Sequence, residues 1–264
     1  MKKSGVVFSL LGAVVWLFTL GCIGIGGDGN ITERSHDPGD VSSLLLSNNW
    51  QVTLQTGAER NECIVVTDEN LQDKLYIVNS AGSLHVRFED NARPSRTPQL
   101  RLFLKKMPGS FILTGRSSVE VAGKVSRATD WRLSGSSKVK LGELDAPKLE
   151  VTSSGSTDFS CGGNVREADF RLSGNSRLTC EGTIGELSII QSGSAKIEVA
   201  DCKKAELRLS GSSSIRIGVS EKADITAGSD SRIHITANGD TQILYEGSPH
   251  LSVTAPSSVR VYQK

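Results

Sequence analysis

The chain has 264 residues, enough for one elongated domain or two small ones. Its 30 Lys and Arg against 29 Asp and Glu leave a net charge of +1, which excludes a bulk electrostatic pull toward nucleic acid or membrane. Twenty-seven glycines with only 5% aromatic residues favour many short strands and tight turns over helices.

The N-terminus reads MKKSGVVFSLLGAVVWLFTLGC. Lys2 and Lys3 precede an apolar run from Val6 to Leu20 that is short for a membrane span. The run ends in Thr19-Leu20-Gly21-Cys22, similar to a bacterial lipobox, in which the cysteine is lipidated and becomes the mature N-terminus. Thr19 departs from the leucine usual at that place, so an ordinary signal peptide stands as the alternative. The preferred reading is a lipoprotein signal over residues 1–21, lipidation at Cys22 and a flexible glycine-rich tether over 22–29. This predicts an exported protein, an outer-membrane lipoprotein facing the periplasm or the surface, whose membrane contact runs through the lipid.

Residues 30–105 alternate less regularly. Trp50–Gly57 (WQVTLQTG) and the start of Cys63–Leu71 (CIVVTDENL) have the strand period, and Leu75–Phe88 reads as two strands joined at Ser80-Ala81-Gly82. A proline-bearing loop over 92–98 precedes the strand QLRLFL. This region is read as an irregular N-terminal β cap, or as the first coils of a stacked β structure.

From residue 106 to 264 the sequence repeats. The glycine of each Ser-Gly-Ser unit, taken as a corner, falls at Gly115, Gly135, Gly155, Gly174, Gly193 and Gly211, then Ser229 and Gly247, at spacings of 18 to 20 residues. Four residues before the corners stand Phe111, Trp131, Val151, Phe170, Ile189, Leu207, Ile225 and Ile243. Four after stand Val119, Val139, Phe159, Leu178, Ile197, Ile215, Ile233 and Leu251, and the positions six after are equally apolar. Each unit therefore reads as a strand, a corner, a second strand and a return loop. Units this short close no core alone, but stacked at about 4.8 Å they form continuous apolar ladders. The predicted fold is all-β, a parallel β-helix or β-solenoid of about eight short coils, on the order of 38 Å long. Glycine suits a corner that needs positive φ, and the serines suit bonds to local backbone and to their counterparts.

GNITER, then WQVTLQTG, VVTDENL and GSLHVRF, then the repeated LSGSS units, resemble the auto-transporter adhesin head GIN domain family over roughly residues 29–255. The resemblance implies exported β-helical proteins, mostly of Bacteroidetes-type bacteria, and carries over no catalytic residues. Asn48-Asn49 stands where the family pattern has a glycine-rich turn, and Trp50 where it has a smaller aromatic.

The same count gives the outward positions. Three and five residues after the corners lie Lys138, Lys140, Arg177, Lys196, Arg216, Arg232, His234 and His250, interrupted by Glu120, Asp158 and Glu198. Lys138, Lys140, Arg177, Lys196, Arg216, Arg232 and His234 form a candidate site for an anionic glycan. A solvated strand face that discourages association explains the same charges. On the first strands Asp130, Glu150 and Asp169 occupy consecutive coils beside Arg132 and Arg171, an arrangement that suits cross-strand ion pairs better than acid–base catalysis or calcium. The four histidines show no metal spacing, and Cys63, Cys161, Cys180 and Cys202 no C-x-x-C pattern. Cys161 and Cys180 share an inward ladder and are read as a buried reduced stack.

The functional expectation is a non-catalytic cell-envelope binding scaffold, adhesin-like, without cofactor, metal or nucleic acid, whose partner is an anionic glycan or an envelope protein. A structural spacer in an envelope assembly and a polysaccharide-degrading enzyme are the alternatives.

Overall fold

The structure, a computed structural model, describes residues 24–89, 91–228, 230–238, 241–255 and 259–264. The signal segment and Cys22 lie outside the described residues, as does the corner at Ser229. The chain forms a β-solenoid whose neighbouring coils pair in parallel. No helix among the described residues is long and apolar enough to cross a membrane.

The apolar ladders face inward as the period predicts. Phe111, Trp131, Val151, Phe170, Ile189, Leu207 and Ile225 are all buried, and so are Val119, Val139, Phe159, Leu178, Ile197, Ile215 and Ile233. Phe111 and Trp131 stack face to face at 3.8 Å, and Trp131, Phe159 and Phe170 continue edge-on. At the corners the six glycines from Gly115 to Gly211 all have positive φ. A Cβ on Gly155 would lie 2.4 Å from the carbonyl oxygen of Gly135, and one on Gly135 would lie 2.4 Å from that of Gly115. Any side chain there collides with backbone, whatever its φ. Two residues on, Ser117, Ser137, Thr157, Ser176, Ser213 and Ser231 point inward and are buried. Ser117, Ser137 and Ser231 donate to corner backbone, at Asn48 O, Ser134 O and Gly211 O, whereas Thr157, Ser176 and Ser213 bond other side chains.

Three features differ from the expectation. The return is not a loop: Lys138–Gly155 and Asp158–Ala227 run on as extended chain, and Leu144 and Ala146 pair with Gly163 and Val165. The coil thus has a third, hydrogen-bonded side, lined inside by Val125, Leu144, Val165, Ile184 and Cys202. The eighth corner is also misplaced. Ile225 pairs with Tyr245 and Ala227 with Gly247, while Arg232 pairs with His250, so the last bend is two residues shorter and Gly247 stands two positions before the corner. The shift is even, which keeps every side chain on its own face.

The third difference is the order of stacking. Ser43–Leu46 and Gln51–Thr56 lie between the coil of Ser83–Phe88 and Gln99–Leu104 on one side and that of Ser110–Leu113 and Ser118–Ala122 on the other. The chain lays down the second coil first, descends to build the end, then climbs past it. Asn48 is the corner of that coil, in register with Gly115, and its φ is 77°. Asparagine tolerates this conformation better than most residues, and Asn48 Oδ1 accepts from Phe88 N. Trp50, two residues past the corner, occupies the hydroxyl column and stacks on Phe88 at 5.0 Å.

The end itself is closed by antiparallel strands. Leu75–Ser80 pairs with Ser83–Phe88, and Glu62–Asp68 pairs with both Gln99–Leu104 and Ile31–His36. The glycine-rich segment read as a flexible tether is docked instead: Ile25–Gly26 pairs in parallel with Ala92–Arg93. At the opposite end Val259–Gln263 pairs, among the described residues, with Thr241–Gly247 alone.

The four described cysteines are free and buried. The Cys161 and Cys180 sulfurs are 3.0 Å apart, and the Cys161 thiol together with burial holds that of Cys180 well above its ordinary range. Burial pushes Cys63 up to about 12 and, with Asp201 alongside, Cys202 to about 12. Cys63, Cys180 and Cys202 are accordingly thiols rather than thiolates near neutrality. They are expected to ignore a chromogenic thiol reagent in the folded protein and to react together once urea unfolds it. Gly155→Ala and Gly57→Ala provide a second test, because both positions have positive φ but a Cβ at Gly57 meets nothing within 4 Å. Urea unfolding is expected to show a loss of about 1 kcal/mol for Gly57→Ala and about 2–4 kcal/mol for Gly155→Ala.

Candidate functional site

The second-strand face carries the cations where the count places them. In register along the stack run Gln51, Ser118, Lys138 and Asp158, followed by Arg177, Lys196, Ser214, Arg232 and His250. Their side chains point outward because Val119, Val139 and their equivalents, the next residues along each strand, point in. The adjoining outward column contains Glu120, Lys140, Glu198, Arg216 and His234.

The structure brings five of the seven predicted residues together. Arg177, Lys196 and Arg232 line an open trough of about 510 Å³. Lys196 and Arg232 also border an adjoining hollow of about 360 Å³, with Arg216 and His234. Lys138 and Lys140 fall outside both and are held by acids, Lys138 facing Asp158 at 3.9 Å and Lys140 facing Glu120 at 2.9 Å.

Within the trough the cations are not equivalent. Glu198 accepts from Lys196 at 2.9 Å and lies 3.9 Å from Arg216. The Lys196 hydrogen bond and charge, with Arg216 and Arg177 nearby, hold its carboxyl below the usual range. Among the described residues, Arg177 and Arg232 have no acid within 4 Å. The centre of the site is thus neutralised and its two ends are positive. His234 Nδ1 is 3.4 Å from Ser252 Oγ.

Sequence reasoning missed the polar wall. Ser156, Asn175, Ser194 and Ser212, the residues directly after the corners, line the same trough and are exposed. Their signal was present as the second Ser or Asn of every Ser-Gly-Ser unit, but it was absorbed into the account of the corner. The buried Thr157, Ser176 and Ser213 form the floor beneath, interrupted by Ala195.

The acidic set on the first-strand face is organised differently from expectation. Arg132 pairs with Asp130 at 3.0 Å, but Glu150 and Asp169 are held by Lys148, which lies 3.0 Å from Glu150, 3.0 Å from Glu167 and 3.4 Å from Asp169. Hydrogen bonds to Glu150 and Glu167 raise the Lys148 ammonium well above its ordinary range. One lysine satisfies three carboxylates, so the arrangement offers no free acid and base side by side. Among the described residues no group of three or more His, Cys, Asp or Glu has the geometry of a metal site.

A family model described as "Putative auto-transporter adhesin, head GIN domain" matches residues 41–239. Several solved structures share the fold. "Putative lipid binding protein" from Parabacteroides distasonis is 18% identical, with a TM-score of 0.62 over 90% of this chain and 99% of that one. A "putative adhesin" from the same species is 15% identical, with a TM-score of 0.58 over 91% and 99%. Another from Parabacteroides merdae is 14% identical, with a TM-score of 0.56 over 91% and 98%. No curated protein sequence matches the chain.

Proposed function

The chain belongs to the auto-transporter adhesin head GIN domain family, and we propose that it is a non-catalytic, exported binding scaffold of the cell envelope whose trough takes an anionic glycan laid along the solenoid axis. The observation that carries this reading is the pair of unneutralised arginines. Arg177 and Arg232 occupy one outward column three coil steps apart, about 14 Å at the inter-strand spacing. Between them Lys196 and Glu198 neutralise one another. Beside them Asn175, Ser194 and Ser212 supply neutral donors and acceptors along the same line. A chain with widely spaced carboxylate or sulfate groups and hydroxyls between them matches that order, and a single small anion satisfies only one end.

Other chemistries fit less well. An apolar lipid tail needs an enclosed cavity, whereas this trough is open and lined mostly by Ser, Thr, Asn, Asp, Lys and Arg residues. Glycoside cleavage needs two carboxyls free to act at one bond, and the acids here, Asp158 in the trough and Glu198 in the adjoining hollow, are each in an ion pair. The non-catalytic reading rests on those pairings, and the envelope location on the family together with the segment ending at Cys22.

Surface plasmon resonance with size-defined uronate oligosaccharides tests the proposal. Chains long enough to bridge the two arginines are expected to bind, and more weakly as salt rises. Arg177→Ala and Arg232→Ala are each expected to weaken binding about tenfold, which is about 1.4 kcal/mol. Glu198→Gln is expected to tighten binding and Lys140→Ala to leave it unchanged. Equal affinity of both arginine variants and the native chain would remove the trough from consideration. Indifference to every acidic glycan would leave the spacer reading in its place.

A further inference from the structure

The segment that leads out of the solenoid toward Cys22 is bound at nearly every residue. Ile25 N donates to Asn91 O at 2.8 Å and Gly27 N to Arg93 O at 2.9 Å. Asp28 N donates to Asn70 Oδ1, Gly29 N to Asp68 Oδ1 at 2.9 Å, and Asn70 Nδ2 returns a bond to Gly26 O. Glu69 N donates to Asn30 O at 2.7 Å. Asp68 is the centre of this arrangement. It is 0% exposed, and its second oxygen accepts from Ser95 N at 3.0 Å, so one carboxylate ties the leading segment to the loop between Ala92–Arg93 and Gln99–Leu104. The approach is close enough that a Cβ on Gly27 would stand 2.3–2.5 Å from the Asp68 carboxylate.

We propose that residues 25–30 are a rigid mount which, with a lipid on Cys22, holds the capped end of the solenoid against the leaflet and the trough away from it. The inference rests on the lipidation at Cys22 expected from the sequence and is independent of the trough's ligand. Its force comes from length. A lipid on Cys22 has at most about 11 Å of chain between it and Ile25. A free tether of flexible residues would let the body tumble, but here the glycines are bonded into the fold. The loop gripped by Asp68 belongs to the first coil of the stack, and Lys264 comes directly after Val259–Gln263 at the other end. Along the outward column Arg177 and Arg232 stand five and eight coil steps above Gln99, about 24 and 38 Å. The mount would therefore present the trough clear of the headgroups, with the ligand's long axis running away from the membrane.

The test uses the lipidated full chain in phosphatidylcholine vesicles with a headgroup acceptor dye and a donor at Arg96→Cys or Lys264→Cys. Energy transfer is expected to be several-fold stronger from position 96 than from position 264. A Gly/Ser insertion of about a dozen residues between Ile23 and Gly24 is expected to erase most of that difference. Amide exchange at Gly27 and Gly29 is expected to be slow in the native chain and fast in Asp68→Asn, which reads the clamp without any membrane. Equal transfer from both positions, fast exchange at both glycines in the native chain, or an unacylated Cys22 by mass spectrometry would each overturn the proposal. Arg177→Ala is expected to change none of these readings, so failure of the mount and failure of the glycan site are separable.

Discussion

At the glycine corners a backbone carbonyl oxygen crowds the place where a Cβ would be. At Gly115, Gly135, Gly155, Gly174 and Gly211 that oxygen, from the coil beneath, is 2.4 or 2.5 Å from the Cβ position. The contact fixes how far each bend sits over the one below it, and the rest of the structure depends on that register. The aromatic stack of Phe111 on Trp131 and the hydroxyl column of Ser117, Ser137 and Thr157 are consequences of it. So are the outward columns that make the trough. The constraint also has a direction. A corner needs glycine only when another corner lies underneath, and Asn48, whose side chain bonds Phe88 N where the bends begin, has none.

The repeated elements were legible for a physical reason: stacking makes each core position recur at a fixed interval, so one pattern is written many times. The faces of Val139, Leu178 and Ile215 needed only the strand period and the corner glycine. What happens once was not legible. The third side of the coil was hidden because its inward residues keep no fixed distance from the corner: the irregularity between Lys140 and Glu143 puts Leu144 nine residues after Gly135, while Val165 and Ile184 stand ten after Gly155 and Gly174. The short bend before His250 was hidden because a Gly-Ser pair recurs at Gly247 two places early, and an even slip preserves every in–out assignment. The insertion of Ser43–Leu46 between later coils leaves no local mark in the sequence, since its neighbours are Ser83–Phe88 and Ser110–Leu113.

The candidate site was legible to the same depth. Counting from the corners placed Arg177, Lys196, Arg216 and Arg232 on one face, and they are there. Which of them are free is decided by neighbours in other coils. Glu198 takes Lys196 along its own strand, whereas Lys140 is taken by Glu120 twenty residues earlier in the chain. Lys148 shows the same effect on the opposite side, reaching Glu167 and Asp169 in the next coil as well as Glu150 in its own. Charge columns can be written down from a repeat, but their pairing depends on small axial offsets between long side chains.

The floor of the trough ties the core to the surface. Ala195 is the one residue from Ser117 to Ser231 in that buried column without a hydroxyl, and on the same coil Gln191 replaces the leucine found at Leu172 and Leu209. The Gln191 amide oxygen accepts from Ser213 Oγ of the next coil, and Ser210 Oγ bonds the Gln191 carbonyl. Gln191, a longer side chain from the opposite strand, thus supplies the side-chain bond to the coil of Ser213, while its buried Nε2 has no partner among the described residues. Ala195 lowers the floor between Arg177 and Arg232 while the corner carbonyls stay in register. The exchange of Leu and Ser for Gln and Ala therefore keeps one bond to the next coil at the cost of an unsatisfied amide nitrogen.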